Sequence, residues 1–168
     1  MRLRPYGESD LSLTRRLESD PGVVGHLGGT GDEQHVAQVH RRRMTGVADG
    51  DLYYVIVPDG SEEPVGIIAI WRSEFGSEPV HELGAMLVPD HQARGVAGAA
   101  FAQLLPLAVA HGVRELHAFP AVTNGPSNAI LRKLGFTRSE DCDLDYEGRP
   151  LRCAHWMKDL GPPFSPAS

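Results

Sequence analysis

The chain predicts an α+β fold: one mixed, mostly antiparallel sheet of about seven strands, flanked by about four helices. Three observations carry that expectation. Leu52–Val57 and Val65–Trp71 are rich in β-branched and aromatic residues, and Pro58-Asp59-Gly60-Ser61 between them is a hairpin turn. From Glu78 to Leu134 the pattern alternates strand, helix, strand, helix, which places a βαβ unit in the middle of the chain. The chain then closes on a second hairpin, Phe136–Tyr146 with Arg149–Lys158, turning at Glu147-Gly148.

Taken in order, Arg2–Tyr6 reads as a short opening strand ended by Pro5 and Gly7. Ser9 or Asp10 caps a first helix to about Ser19, with Leu13 and Leu17 facing inward. Asp20–Thr30 is glycine-rich and reads as a broken helical turn plus a loop. Gly31–Asp49 is a second helix, with Val36, Val39, Met44 and Val47 roughly on one side. Its Arg41-Arg42-Arg43 run reads as a solvated face rather than an acid-binding patch. Glu78–Val88 is the fourth strand and Arg94–His111 the main helix, ended by Gly112 and expected to bend at Pro106. Glu115–Phe119 is a fifth strand and Pro126–Leu134 the last helix. Residues 1–160 form one domain, and the tail 161–168, with three prolines, is expected to be disordered.

Composition narrows the function. At 168 residues the chain is long enough for a full hydrophobic core. A net charge of −6 argues against holding nucleic acid by phosphate neutralisation, although an acidic surface draws cationic amines. No apolar run approaches the length of a membrane span and no signal-peptide core follows Met1, so a cytoplasmic protein is expected. The eight histidines show no ligand-like spacing with Cys or Glu, and no metal site is expected. If Glu147-Gly148 is a two-residue turn, Cys142 and Cys153 fall opposite each other. They are expected to be reduced core thiols that could oxidise in vitro.

The most informative stretch is Glu82–Gly98. A short apolar strand runs into a turn of small residues that opens directly into the apolar helix. The first amides of a helix lack internal partners, and the dipole there favours anions, so the junction is a ready phosphate site. No Lys-Ser/Thr follows the glycines, and the G-x-G-x-x-G pattern is absent, which excludes a Walker A loop and a dinucleotide fingerprint. Gln92-Ala93-Arg94-Gly95-Val96-Ala97 instead fits Q/R-x-x-G-x-G/A. Downstream, Asn124-Gly125-Pro126-Ser127 begins a short helix that ends in Lys133-Leu134-Gly135-Phe136. Together these resemble the two signatures of the GNAT superfamily of acyl-CoA-dependent N-acetyltransferases. Leu3-Arg4-Pro5, Asp10 and Asp20-Pro21 look like the branch that acetylates ribosomal-protein N-termini. The resemblance spans nearly the whole chain.

It implies the GNAT fold, acetyl-CoA as co-substrate and a small-molecule or peptide amine as acceptor, and it leaves a homodimer open. Main-chain groups of Ala85, Met86 and Leu87 would meet the pantetheine, lying in a gap between the fourth and fifth strands. The amides of Ala93, Arg94, Gly95, Val96, Ala97 and Gly98 would hold the pyrophosphate, with Gln92 orienting the loop. Arg94 either pairs with a phosphate or is a solvated cation. Gly84 is expected to mark a strand bulge whose freed N–H stabilises an oxyanion. Glu82 takes the position of the general base, against the alternative of a carboxylate that only binds the substrate cation. His81 ranks second, and His117 reads as a packed or surface residue. Leu131 stands where many relatives carry an acid tyrosine, and Phe119 where some carry a base; neither can do that chemistry. Ser127 is the substitute acid or merely a helix cap, and Asn124 and Asn128 are expected at the cofactor. Lys133 and Gly135 read as structural. The missing tyrosine keeps open a second reading, an inactive acyl-CoA-binding regulatory or assembly protein.

Overall fold

The computed structural model describes residues 1–146 and 148–162. Seven strands form one sheet: β1 (Arg2–Pro5), β2 (Leu52–Val57), β3 (Gly66–Phe75), β4 (Glu78–Leu87), β5 (Glu115–Ala118), β6 (Thr137–Tyr146) and β7 (Arg149–Asp159). Their order is β1-β2-β3-β4-β5-β7-β6, with β4 and β5 parallel and the other pairs antiparallel. Five helices accompany them: α1 (Leu11–Glu18), α2 (Pro21–Val24), α3 (Glu33–Ala48), α4 (Val96–Ala110) and α5 (Gly125–Lys133). No described helix is long and apolar enough to cross a membrane. Most of the tail expected to be disordered, residues 163–168, lies outside the described residues.

Local chemistry accounts for the helix starts. Asp20 accepts from the Gly22 N–H at 2.8 Å ahead of Pro21, and Asp32 accepts from the His35 N–H at 2.8 Å. Asp10 precedes α1 as expected, but its buried carboxylate turns back to Arg4 and the Gly7 N–H instead of capping the helix. At the other end of α4, Gly112 adopts φ +82° and Val113 N–H returns to the Ala108 carbonyl, which closes the helix. The helix continues through Pro106 to Ala110.

Strand register sets which side chains share a face. Tyr53, Trp71, Glu82 and His117 lie on one face because paired residues match across β2, β3, β4 and β5. α1 and α3 pack on that face. There the arginine run departs from its expected reading: Arg41 and Arg42 are exposed, but Arg43 is only 7% exposed. Its guanidinium donates to Glu18 Oε1 and to Thr14 Oγ1, both at 2.9 Å. Glu18 also meets His35 at 3.1 Å, and the Tyr6 hydroxyl joins Thr14 at 2.6 Å to His40 Nδ1 at 2.5 Å. A buried charge is tolerable only when paired and hydrogen-bonded, and every member of this cluster is. Against the other face lie α4 and α5, where Phe101 meets Phe136 and Trp156 Nε1 donates to Asn128.

Candidate active site

The loop before α4 is shaped by two left-handed residues, Ala93 at φ +57° and Gly95 at φ +76°. An alanine there is strained, by roughly 1 kcal/mol or more, and such strain concentrates at functional sites. Gly95 sits at the N-cap without a side-chain cap, and the first amide bonded within the helix is Ala99, to the Gly95 carbonyl. The N–H groups of Val96, Ala97 and Gly98 therefore have no helical partner. A Cβ added at Gly95 or Gly98 would meet nothing within 4 Å, so the space before these amides is open. Gln92 anchors the loop by donating its amide to the Leu87 carbonyl at 2.9 Å and the Gly22 carbonyl at 3.1 Å. Arg94 is exposed and makes no ion pair among the described residues.

A gap in the sheet leads away from that loop. β4 stays in unbroken register with β3 from Leu87 opposite Gly66 to Glu78 opposite Phe75. On its other edge it has one partner, Glu82 opposite His117. Beyond that pair β4 continues through Gly84, Ala85, Met86 and Leu87 with no neighbour on the β5 side. Ala85 is exposed; Met86 is half-buried, its sulfur 3.6 Å from an Arg43 nitrogen. The unbroken register corrects the bulge expected at Gly84. That glycine has a packing reason instead, since a Cβ there would sit 2.8 Å from the Trp71 ring. A regular strand also keeps His81 on the face opposite Glu82.

Glu82 stands at the end of the paired segment, where the gap begins. Burial is the main influence on its carboxyl and holds its pKa above the ordinary value, and the Ser73 hydroxyl beside it works the other way. Its charge is felt by Tyr53, pushed up to about 12, and by Cys153, pushed up to about 11, in both cases first of all by burial. Cys153 pairs with Cys142 across β6 and β7, as the hairpin register required, and both thiols are free.

On the far side of the gap, Asn124 Oδ1 accepts from the Ser127 N–H at 3.2 Å, so Asn124 caps α5 and Ser127 does not. The Ser127 hydroxyl is half-buried with no hydrogen-bond partner among the described residues. Asn128 is buried and fully engaged inside the protein. It donates to the Ala121 and Asn124 carbonyls and accepts from Trp156, and so holds α5 on β7. Leu131 is buried in the core. The sheet also brings together three groups not read as a unit in the sequence: Glu115, His117 and His155. Glu115 meets His117 at 2.8 Å and His117 meets His155 at 2.9 Å.

The family model for the acetyltransferase (GNAT) domain matches residues 1–137. The chain belongs to the GNAT acetyltransferase family. Its fold is shared by a ribosomal-protein-alanine N-acetyltransferase from Brucella melitensis, with TM-score 0.76, 20% identity, and 95% of this chain and 99% of that one covered. A phosphinothricin acetyltransferase from Sinorhizobium meliloti, solved with AcCoA, gives TM-score 0.76 at 21% identity over 95% and 88% of the two chains. A spermidine N-acetyltransferase from Vibrio cholerae, in complex with CoA and spermine, gives TM-score 0.76 at 14% identity over 95% and 95%. No curated protein is a significant match. At these identities the structural likeness establishes the fold alone.

GNAT enzymes take acetyl-CoA as acyl donor. In this chain the open edge of β4 runs from Glu82 toward the Gln92–Gly98 loop, and Ser127 lies in the first turn of α5. Sequence reasoning missed His155, which meets Phe119 only because β7 inserts between β5 and β6. The one available signal was that His155 shares its strand face with Cys153 and Met157.

Proposed function

We propose that the chain is an N-acetyltransferase that moves the acetyl group of acetyl-CoA to a primary amine by direct attack on the thioester, with Glu82 as general base. The observation that carries this reading is the position of Glu82, a half-buried carboxylate at the point where β4 and β5 part. A primary amine reaches the enzyme as an ammonium, with a pKa of about 10, and must lose a proton before it can attack. A carboxylate whose affinity for protons is raised by burial is a better acceptor for that proton than an exposed one. The free edge of β4 at Ala85, Met86 and Leu87 offers main-chain groups to the pantetheine as a further strand would. The unpartnered amides of Val96, Ala97 and Gly98, with Ala93, Arg94 and Gly95, offer N–H groups to the pyrophosphate. Ser127, with its hydroxyl unengaged, lies in the first turn of α5 next to its cap Asn124 and is a candidate donor to the leaving thiolate.

Calorimetric titration with acetyl-CoA tests the cofactor half. Wild type should bind, and Gly98→Glu should weaken binding by about a hundredfold or more, because a carboxylate would stand where the pyrophosphate belongs. Gly98 is helical with open space before it, so the variant should keep its fold. Turnover is then tested with spermidine, phosphinothricin and a peptide beginning with alanine. No binding at millimolar acetyl-CoA would overturn the assignment. Binding without acetylation of any amine would favour an acyl-CoA-binding protein that is not an enzyme.

A further inference from the structure

The two imidazoles next to the β4–β5 junction are built as a unit. His117 and His155 are 6% and 5% exposed, and their ring planes lie within 12° of each other. Phe119 stacks on His155 at 4.8 Å and Phe75 leans on it at 4.5 Å, so the ring has little freedom to turn. Register places the pair on the Glu82 face. His117 is opposite Glu82, Met157 is opposite His117, and His155 lies two residues from Met157. Phe75, which touches His155, lies two residues from Ser73, the hydroxyl beside Glu82.

The carboxylate at the outer end dictates where the protons sit. Ionised Glu115 can only accept, so His117 carries its proton on Nε2, and its Nδ1 is a bare acceptor. The bond at 2.9 Å then requires His155 to donate from Nε2. His155 Nδ1 is left as a free lone pair, with no partner among the described residues. The three groups follow one another in a row rather than converging, and no described cluster of His, Cys, Asp and Glu is arranged to hold a metal.

We propose that His155, rather than Ser127, is the acid of the acetyl-transfer step, with Glu115 and His117 forming a proton shuttle behind it. This rests on the acetyltransferase reading above. Two protons leave the ammonium nitrogen during the reaction and one must reach the thiolate. Glu82 takes one and releases it to water. The other joins His155 Nδ1 as the Nε2 proton passes to His117 Nδ1. The positive charge then rests on His117, against the Glu115 carboxylate. When the C–S bond breaks, the shift reverses and His155 Nδ1 returns its proton to sulfur. The products are amide, free thiol and one proton, and all three side chains return to their starting states. A chain that ends in a donor supplies what Leu131 cannot.

Nitrogen-15 NMR of the imidazoles in the free protein tests the shuttle without any substrate. Both rings should be protonated on Nε2, and Glu115→Gln should shift the His155 signals although it reaches His155 only through His117. A His155 ring protonated on Nδ1, or one indifferent to Glu115→Gln, would overturn the proposal. In turnover with acetyl-CoA and the first amine of the panel that wild type acetylates, His155→Gln and Glu115→Gln should each lower kcat by about tenfold or more, with the acetyl-CoA Kd unchanged. Both should also flatten a curved proton inventory. Unchanged kcat in either variant would sink the shuttle and leave Glu82 and the acetyltransferase reading intact. A wild type that binds acetyl-CoA but acetylates none of the amines would remove the step itself.

Discussion

Two buried polar clusters share one face of the sheet and differ in how they end. The cluster under α1 and α3 is closed. Arg43 lies between Glu18 and Thr14, Tyr6 between Thr14 and His40, and Glu18 also holds His35. The cluster on β5 and β7 is open, with a half-exposed carboxylate at one end and a bare ring nitrogen at the other. A closed network can do little except hold the elements that bear it. An open one can take up or release a proton at its end. The distinction assigns stability to the first cluster and chemistry to the second, and each assignment can be broken.

The largest effect expected is from Arg43→Leu. It removes the guanidinium from the buried Glu18 carboxylate and leaves His35 as its remaining partner, and should cost about 3–5 kcal/mol in urea unfolding. Glu115→Gln, at the open end, should change stability by no more than about 0.5 kcal/mol. Similar losses in the two variants would erase the contrast. Next comes Glu82→Gln, which should lower kcat by about a hundredfold or more while leaving the fold sound. Here the pH dependence carries a sign. Folded Glu82 holds its proton above the ordinary value of 4.5, so across that window the folded state binds more protons than the unfolded one. Wild-type stability therefore falls as pH rises through the window, and the glutamine variant lacks that slope. At neutral pH the inactive variant should have the higher urea midpoint, and a lower one would contradict the burial of the carboxylate. Gly84→Ala should cost about 1 kcal/mol and alter tryptophan fluorescence, because the added methyl presses on the Trp71 ring. The smallest effect concerns thiols. With Cys153 pushed up to about 11 and Cys142 also raised, both should react more slowly at neutral pH than an unhindered thiol in a maleimide labelling time course.

What could be read in the sequence followed chain proximity. The phosphate loop was legible because strand, turn and helix start are consecutive, and the opposed cysteines because a tight hairpin sets its own register. Glu82 was legible by its place in the strand before that loop. Arg43 was misread from its two charged neighbours, although the spacing of Val36, Val39 and Arg43 already put it on the inward face; what makes its burial tolerable is Glu18, on another helix. The glycine at 84 pointed to a bulge, but the indole responsible for it belongs to β3. His155 depends on strand order, which no local pattern of residues encodes, and Asn128 on Trp156, which belongs to the last strand.

The single pairing of β4 with β5 has a consequence for motion. The main-chain amides along Leu83–Leu87 that face the gap should exchange with solvent deuterium far sooner than those bonded to β3. The sheet is then two plates, β1–β4 and β5-β7-β6, joined along the strands at one point. A molecule lying in the gap and bonding to both edges would act as a clasp. Binding to the folded state alone raises the unfolding temperature with ligand concentration, and in this architecture the exchange rates on both lips of the gap should slow together as it does.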